Sequence, residues 1–171
     1  MLTLIAAVSA DGFISAGTGV PWDLPKDRQH FRQTTSGQWL LIGRRTYLEM
    51  LGWFQDHHPL VLSRDKAFTP PVGETVASVE EALARAAQGN ARELFVCGGG
   101  GAYTAAMPWA DRLILTHVAA TLGAGVRFPP ISKTEWLQVS RQDFPADPGH
   151  PCPFAIAVYE RRRETQNRGG N

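Results

Sequence analysis

The sequence predicts an α/β domain with a mainly parallel central sheet, flanking helices and an antiparallel hairpin at its C-terminal edge. Three observations point there. Apolar runs without polar alternation recur at 2–8, 38–43, 59–64 and 93–97, the pattern of strands buried on both faces. Helical signals fall between those runs, as a parallel sheet requires for its crossovers. The last third carries two strand candidates, 136–142 and 154–162, with no helix between them.

The elements follow in chain order. LTLIAAV at 2–8 reads as a first buried strand, and a loop with Gly12, Gly17 and Gly19 comes after it. Pro25 suits the first turn of a short helix that runs to Thr34–Thr35. QWLLIG at 38–43 is a second strand, RRTYLEML at 44–51 a short helix, PLVLSR at 59–64 a third strand and ETVAS at 74–78 a fourth. The clearest helix is 78–88, where Ser78 and Glu81 have capping-box spacing and Gly89 marks the stop. A strand at 93–97, the turn GGGG at 98–101, a helix at 102–107 and a strand at 112–118 complete the crossover region. In such sheets ligands bind beyond the carboxyl ends of the strands. The loop after the first strand, the end of 59–64 and the turn 98–101 all fall at that end.

The 171 residues, 43% hydrophobic and 19% charged, suit one folded domain over 1–162, with the basic segment 163–171 expected as a disordered tail. A net charge of +1 gives no electrostatic argument for nucleic acid or an anionic membrane. The apolar N-terminus is too short to span a bilayer and lacks a basic leader region. Cys97 and Cys152 have no metal-ligand or disulfide spacing, so no metal site is expected and a reducing, cytoplasmic setting is.

Several residues invite chemistry. Asp27 shares a helix face with Leu24 and Phe31, which would partly desolvate it. A first-turn acid also has an ordinary explanation in the helix dipole. A buried one would have a raised pKa and need a cationic or amide-like partner. The glycine run after 93–97 would let a ligand approach the backbone, but it lacks the G-x-G-x-x-G spacing of the common dinucleotide fingerprint. Arg44, Arg45 and Arg64 stand at strand–helix junctions where guanidinium forks suit phosphate.

Taken together, 4-LIAAVSADGFI-14, 21-PWDLPKD-27, Phe31, 42-IGRRTY-47, 60-LVLSR-64, 97-CGGGGAY-103, 113-LILTHV-118 and 127-RFP-129 resemble the dihydrofolate reductase family. The resemblance runs from Leu2 to Arg162 and implies that family's fold, with about eight strands in the central sheet. It implies NADPH-dependent reduction of 7,8-dihydrofolate to tetrahydrofolate, by hydride transfer to C6 of the pterin. Asp27 would orient the pterin and promote N5 protonation, with Trp22 and Thr116 beside it. Ile5, Ala6, Arg28, Phe31, Met50, His57, Cys97 and Thr116 would complete the substrate site. Ala7, Ile14, Gly43, Arg44, Arg45, Thr46, Leu62, Ser63, Arg64 and Cys97 would hold the cofactor. Gly99, Gly100, Gly101, Ala102 and Tyr103 would join them, with a cis bond at Gly98–Gly99. Antifolates are expected ligands, and the oligomeric state is monomer or homodimer.

Three departures from the family pattern stand out. His57 occupies the position of an arginine that clamps the glutamate tail of folate. Arg28 follows Asp27 where an apolar residue is usual. A Gly-Asp-Thr turn reads 124-AGV-126, which predicts altered dynamics of the loop after the first strand. The first keeps open an alternative substrate, another pterin or a riboflavin-pathway aminopyrimidine, and Arg28 is a candidate to take over contact with the substrate tail.

Overall fold

The computed structural model describes residues 1–17 and 19–162, so the tail expected at 163–171 lies outside the described residues. Its core is an eight-stranded sheet. The strands are β1 (Leu2–Ser9), β3 (Trp39–Gly43), β4 (His58–Leu62), β5 (Glu74–Val76), β6 (Leu94–Val96), β7 (Arg112–Val118), β9 (Trp136–Phe144) and β10 (Phe154–Arg161). Their order is β5-β4-β3-β6-β1-β7-β10-β9. Every pairing from β5 to β7 is parallel, whereas β10 runs antiparallel to both β7 and β9.

Side-chain alternation divides the core into two layers. Leu4, Leu41, Val96 and Leu113 point to one face, covered by α3 (Val79–Gln88) and α4 (Gly100–Ala106) through Ala82, Ala86, Tyr103 and Ala106. Ile5, Ile42, Phe95 and Ile114 point to the other, covered by Phe31 of α1 (Pro25–Thr35) and Tyr47 of α2 (Arg44–Glu49). Each fully buried Leu or Ile side chain contributes about 1.5–3 kcal/mol of transfer free energy. Only Ala6 and Ala7 interrupt the burial of β1. These small side chains sit where the clefts open.

Local details depart from the expected ones for physical reasons. Ser78 caps α3 by accepting from Glu81 N (3.1 Å), but the Glu81 carboxylate accepts from Ala77 N (2.8 Å) and not from the cap residue itself. Gly89 keeps a negative φ, and Asn90 takes the left-handed turn at φ 57°. Gly89 is required because a β-carbon there would overlap the Trp39 ring. The second helix ends at Glu49, and the fourth begins in the glycine run at Gly100. A small sheet of β2 (Phe13–Ser15) and β8 (Val126–Arg127) is too short to show any periodicity in sequence.

Candidate active site

Two clefts open at the carboxyl ends of the parallel strands and share Ala6, Ala7, Val20, Met50, Cys97 and Tyr103 as common wall. The larger, about 910 Å³, is lined by strand ends, the glycine turn and the starts of α2, α3 and α4. Gly43 N donates to Gly98 O (2.7 Å), which joins the end of β3 to the turn after β6. The Gly98–Gly99 peptide is cis. A β-carbon on Gly99 would lie 2.8 Å from Thr46 Oγ1, so the close approach of α2 demands glycine. Tyr103 is buried and donates to Ile5 O (2.7 Å), which pins α4 to β1 between the clefts. Burial pushes the Cys97 thiol up, so it stays a neutral packing group.

The larger cleft is lined by Ala7, Ile14, Gly43, Arg45, Thr46 and Leu62, and further along by Ser63, Arg64, Gly99, Gly100, Gly101 and Ala102. Guanidinium and hydroxyl donors at one end and apolar walls at the other fit a dinucleotide with an extra phosphate. Ser78 and Glu80, at the start of α3, also line it. In sequence Ser78 carried only a capping signal, and Glu80 carried none.

The smaller cleft, about 450 Å³, lies between α1 and the end of β1, with Thr116 of β7 in its wall. Pro25 opens α1, buried Leu24 anchors its entry, and Asp27 is thereby turned inward. Thr116, paired with Ala7 on β1, donates its hydroxyl to Asp27 Oδ1 (2.5 Å). Burial pushes the Asp27 carboxyl above its ordinary value. The Thr116 hydrogen bond and the charges of His30 and Arg28 pull it partway back. Asp27 is thus a desolvated acid held in one rotamer. Trp22 lines the same cleft, with its indole N–H buried and without a protein acceptor among the described residues.

Ile5, Ala6, Arg28, Phe31, Met50, Cys97 and Thr116 also line this cleft. Two expected site residues do not reach either cleft. The His57 side chain is only 6% exposed and stacks on Trp53 (centroids 4.4 Å apart), so the indole, not the imidazole, faces the cleft. Its Nδ1 lies 3.2 Å from Asp56 Oδ1, yet neither ring nitrogen makes a hydrogen bond among the described residues. Arg44 is drawn aside by Asp65 (2.9 Å) and lies over the Phe68 ring. Conversely, His30, Arg32 and Trp53 line the smaller cleft unforeseen. Arg32 was within reach of helical spacing, four residues on from Arg28.

The loop after β1 walls both clefts and is firmly tied. Asp11 accepts from Gly123 N (2.7 Å) and Leu122 N (3.1 Å), and Ser9 donates to it (2.6 Å). The Ser9 bond leads in holding the Asp11 carboxyl at about 2, helped by Gly123 and Leu122. Arg127 spans the Phe13 ring and donates to Asp11 O (3.2 Å). At Gly125 (φ 136°) a β-carbon would overlap the Ser15 carbonyl. No aspartate fits there, and the carboxylate tether runs from the loop instead of toward it.

The dihydrofolate reductase family model matches residues 1–161. The chain belongs to the dihydrofolate reductase family. Membership makes it an enzyme and an NADP-linked oxidoreductase. Dihydrofolate reductase type 3 of Salmonella typhimurium is 31% identical, aligned over 94% of this chain and 99% of its own. Dihydrofolate reductase of Mycobacterium tuberculosis is 36% identical over 80% and 84% of the two chains. Among solved structures, Enterococcus faecalis dihydrofolate reductase, complexed with NADP(H) and RAB-propyl, superposes with TM-score 0.84. It is 26% identical and covers 95% of this chain and 97% of its own. Among the described residues no helix is long and apolar enough to cross a membrane.

Proposed function

We propose that this chain reduces 7,8-dihydrofolate to 5,6,7,8-tetrahydrofolate with NADPH, and that Asp27 is its central catalytic residue. The carrying observation is one desolvated carboxylate, fixed by Thr116, at the base of a cleft that shares a wall with the dinucleotide cleft. When bound, the reduced nicotinamide supplies the hydride that reaches C6. Asp27 accepts from N3–H and the 2-amino group of the pterin and so sets the ring's orientation. Thr116 occupies Oδ1 and stops the carboxylate rotating. N5 takes its proton from solvent, and the Asp27 charge favours the cationic ring that results. Phe31 and Met50 bury the ring against Ile5 and Ala6. Arg45 and Arg64, with Ser63 and Thr46, hold the cofactor's phosphates, and Gly99–Gly101 let its backbone contacts form.

Recognition of the tail passes to α1. Arg28 and Arg32 lie on the rim of the smaller cleft, one turn apart, while His57 is sealed behind Trp53. Arg28 also pairs with Asp23, which leaves it charged but shared. Pterin-like antifolates compete at Asp27. The free thiols of Cys97 and Cys152 suit the cytoplasm.

The test is Asp27→Asn. Turnover of dihydrofolate falls about 10²–10⁴-fold, while NADPH affinity, read by fluorescence titration, is unchanged. Retained turnover would refute the assignment.

A further inference from the structure

The first turn of α1 lacks the usual cap. Leu24 stands at the cap position and offers no side-chain acceptor. Pro25 has no N–H, and Arg28 N is satisfied by Leu24 O (3.0 Å). Lys26 N is met from the far end of the chain: it donates to His150 Nε2 at 3.2 Å.

His150 belongs to the turn between β9 and β10 and is 5% exposed. A backbone N–H is always a donor, so Nε2 must carry the lone pair and Nδ1 the proton. Nδ1 points at Asp147 Oδ1, 2.7 Å away. Asp147 is itself fixed. It accepts from Gly149 N (2.9 Å), and its backbone exchanges hydrogen bonds with that of His150 (3.0 and 2.9 Å). Lys26 Nζ closes the group at 3.6 Å from Asp147 Oδ2 and 5.5 Å above the Phe144 ring. The His150 ring lies against Phe154, which clusters with Leu24 and Val118. Asp147 from its own turn and Lys26 from α1 thus surround the imidazole, and Cys152 packs in the same cluster as Phe154.

We propose that His150, oriented by Asp147, is a positioning residue for Asp27. It seats the first turn of α1 against the sheet, and Asp27 is the residue directly after the one it holds. A neutral imidazole does this as acceptor. Substrate binding therefore depends on a side chain that lies outside the cleft.

The experiment compares wild type, His150→Ala and His150→Gln for steady-state kinetics with dihydrofolate, alongside NADPH titration. Gln keeps an acceptor. Losing the cap raises the KM for dihydrofolate about fivefold in His150→Ala. Its NADPH affinity and saturating kcat are kept. His150→Gln recovers the wild-type KM. A wild-type KM in His150→Ala, a Gln variant as impaired as the Ala one, or a parallel loss of NADPH affinity would each overturn the proposal. Where His150→Ala does not fold, Asp147→Ala, which frees the imidazole to turn, carries the test, and an unchanged KM for dihydrofolate in it overturns the proposal.

Discussion

The two clefts are built by different means. The larger cleft is lined by strand ends, the glycine turn and the starts of α2 and α4, with Arg45 and Arg64 in its wall. The smaller cleft is lined by five residues of α1, by Ile5, Ala6 and Ala7 of β1 and by Thr116 of β7, focused on one half-buried acid. The larger cleft is altered by loss of glycine at its turn or of an arginine at its wall. The smaller cleft is altered by substitution of the α1 residues that line it, and the departures at Arg28 and His57 bear on that cleft.

The largest break of this comparison is expected at Gly99. In Gly99→Ala the new methyl must displace Thr46, 2.8 Å away, and it enters the cleft wall. Overpacking of this kind costs about 1–3 kcal/mol, equivalent to roughly 5- to 150-fold if it falls on NADPH affinity. Antifolate binding to the apo protein, which reads the other cleft, is preserved. Titration of each ligand separately checks this.

A smaller effect separates the arginines. Arg64→Ala weakens NADPH several-fold and narrows its preference over NADH, since a charge-assisted phosphate contact is worth about 1.5–3 kcal/mol before solvent screening. Arg44→Ala does much less, because Arg44 is engaged by Asp65 and Phe68. Kd values for the two cofactors in both variants decide it.

The smallest effect is on stability. The folded-state pKa of Asp27 is raised. Its contribution to stability is therefore complete below the ordinary value of 3.8 and is lost as pH rises through the folded value. Asp27→Asn should melt above wild type at neutral pH, with the gap closing in acid. Thermal melts across that window test the sign.

The sequence revealed what is local and periodic. β1 and β7 read as apolar runs, α3 as a capped helix, and Asp27 as an acid on an apolar helix face. What stayed hidden depends on distant partners. Arg44 turns away because Asp65 waits 21 residues on. His57 holds the expected chain position, but its ring is captured by Trp53, and chain position does not reveal direction. The missing turn aspartate predicted altered dynamics of the loop after β1. The tie of that loop to Leu122 and Gly123 through Asp11 stayed hidden, because its contacts span 111 residues or more. β2 and β8 had too few residues to show a period.

The most direct measurement is NADPH consumption by the wild-type enzyme offered dihydrofolate, a dihydropterin lacking the aminobenzoyl-glutamate tail, and a ribosylated aminopyrimidine. The account predicts strong preference for dihydrofolate, with the preference over the tail-less pterin reduced in Arg28→Ala. Equal or better use of the tail-less pterin, or activity with the aminopyrimidine alone, would contradict it.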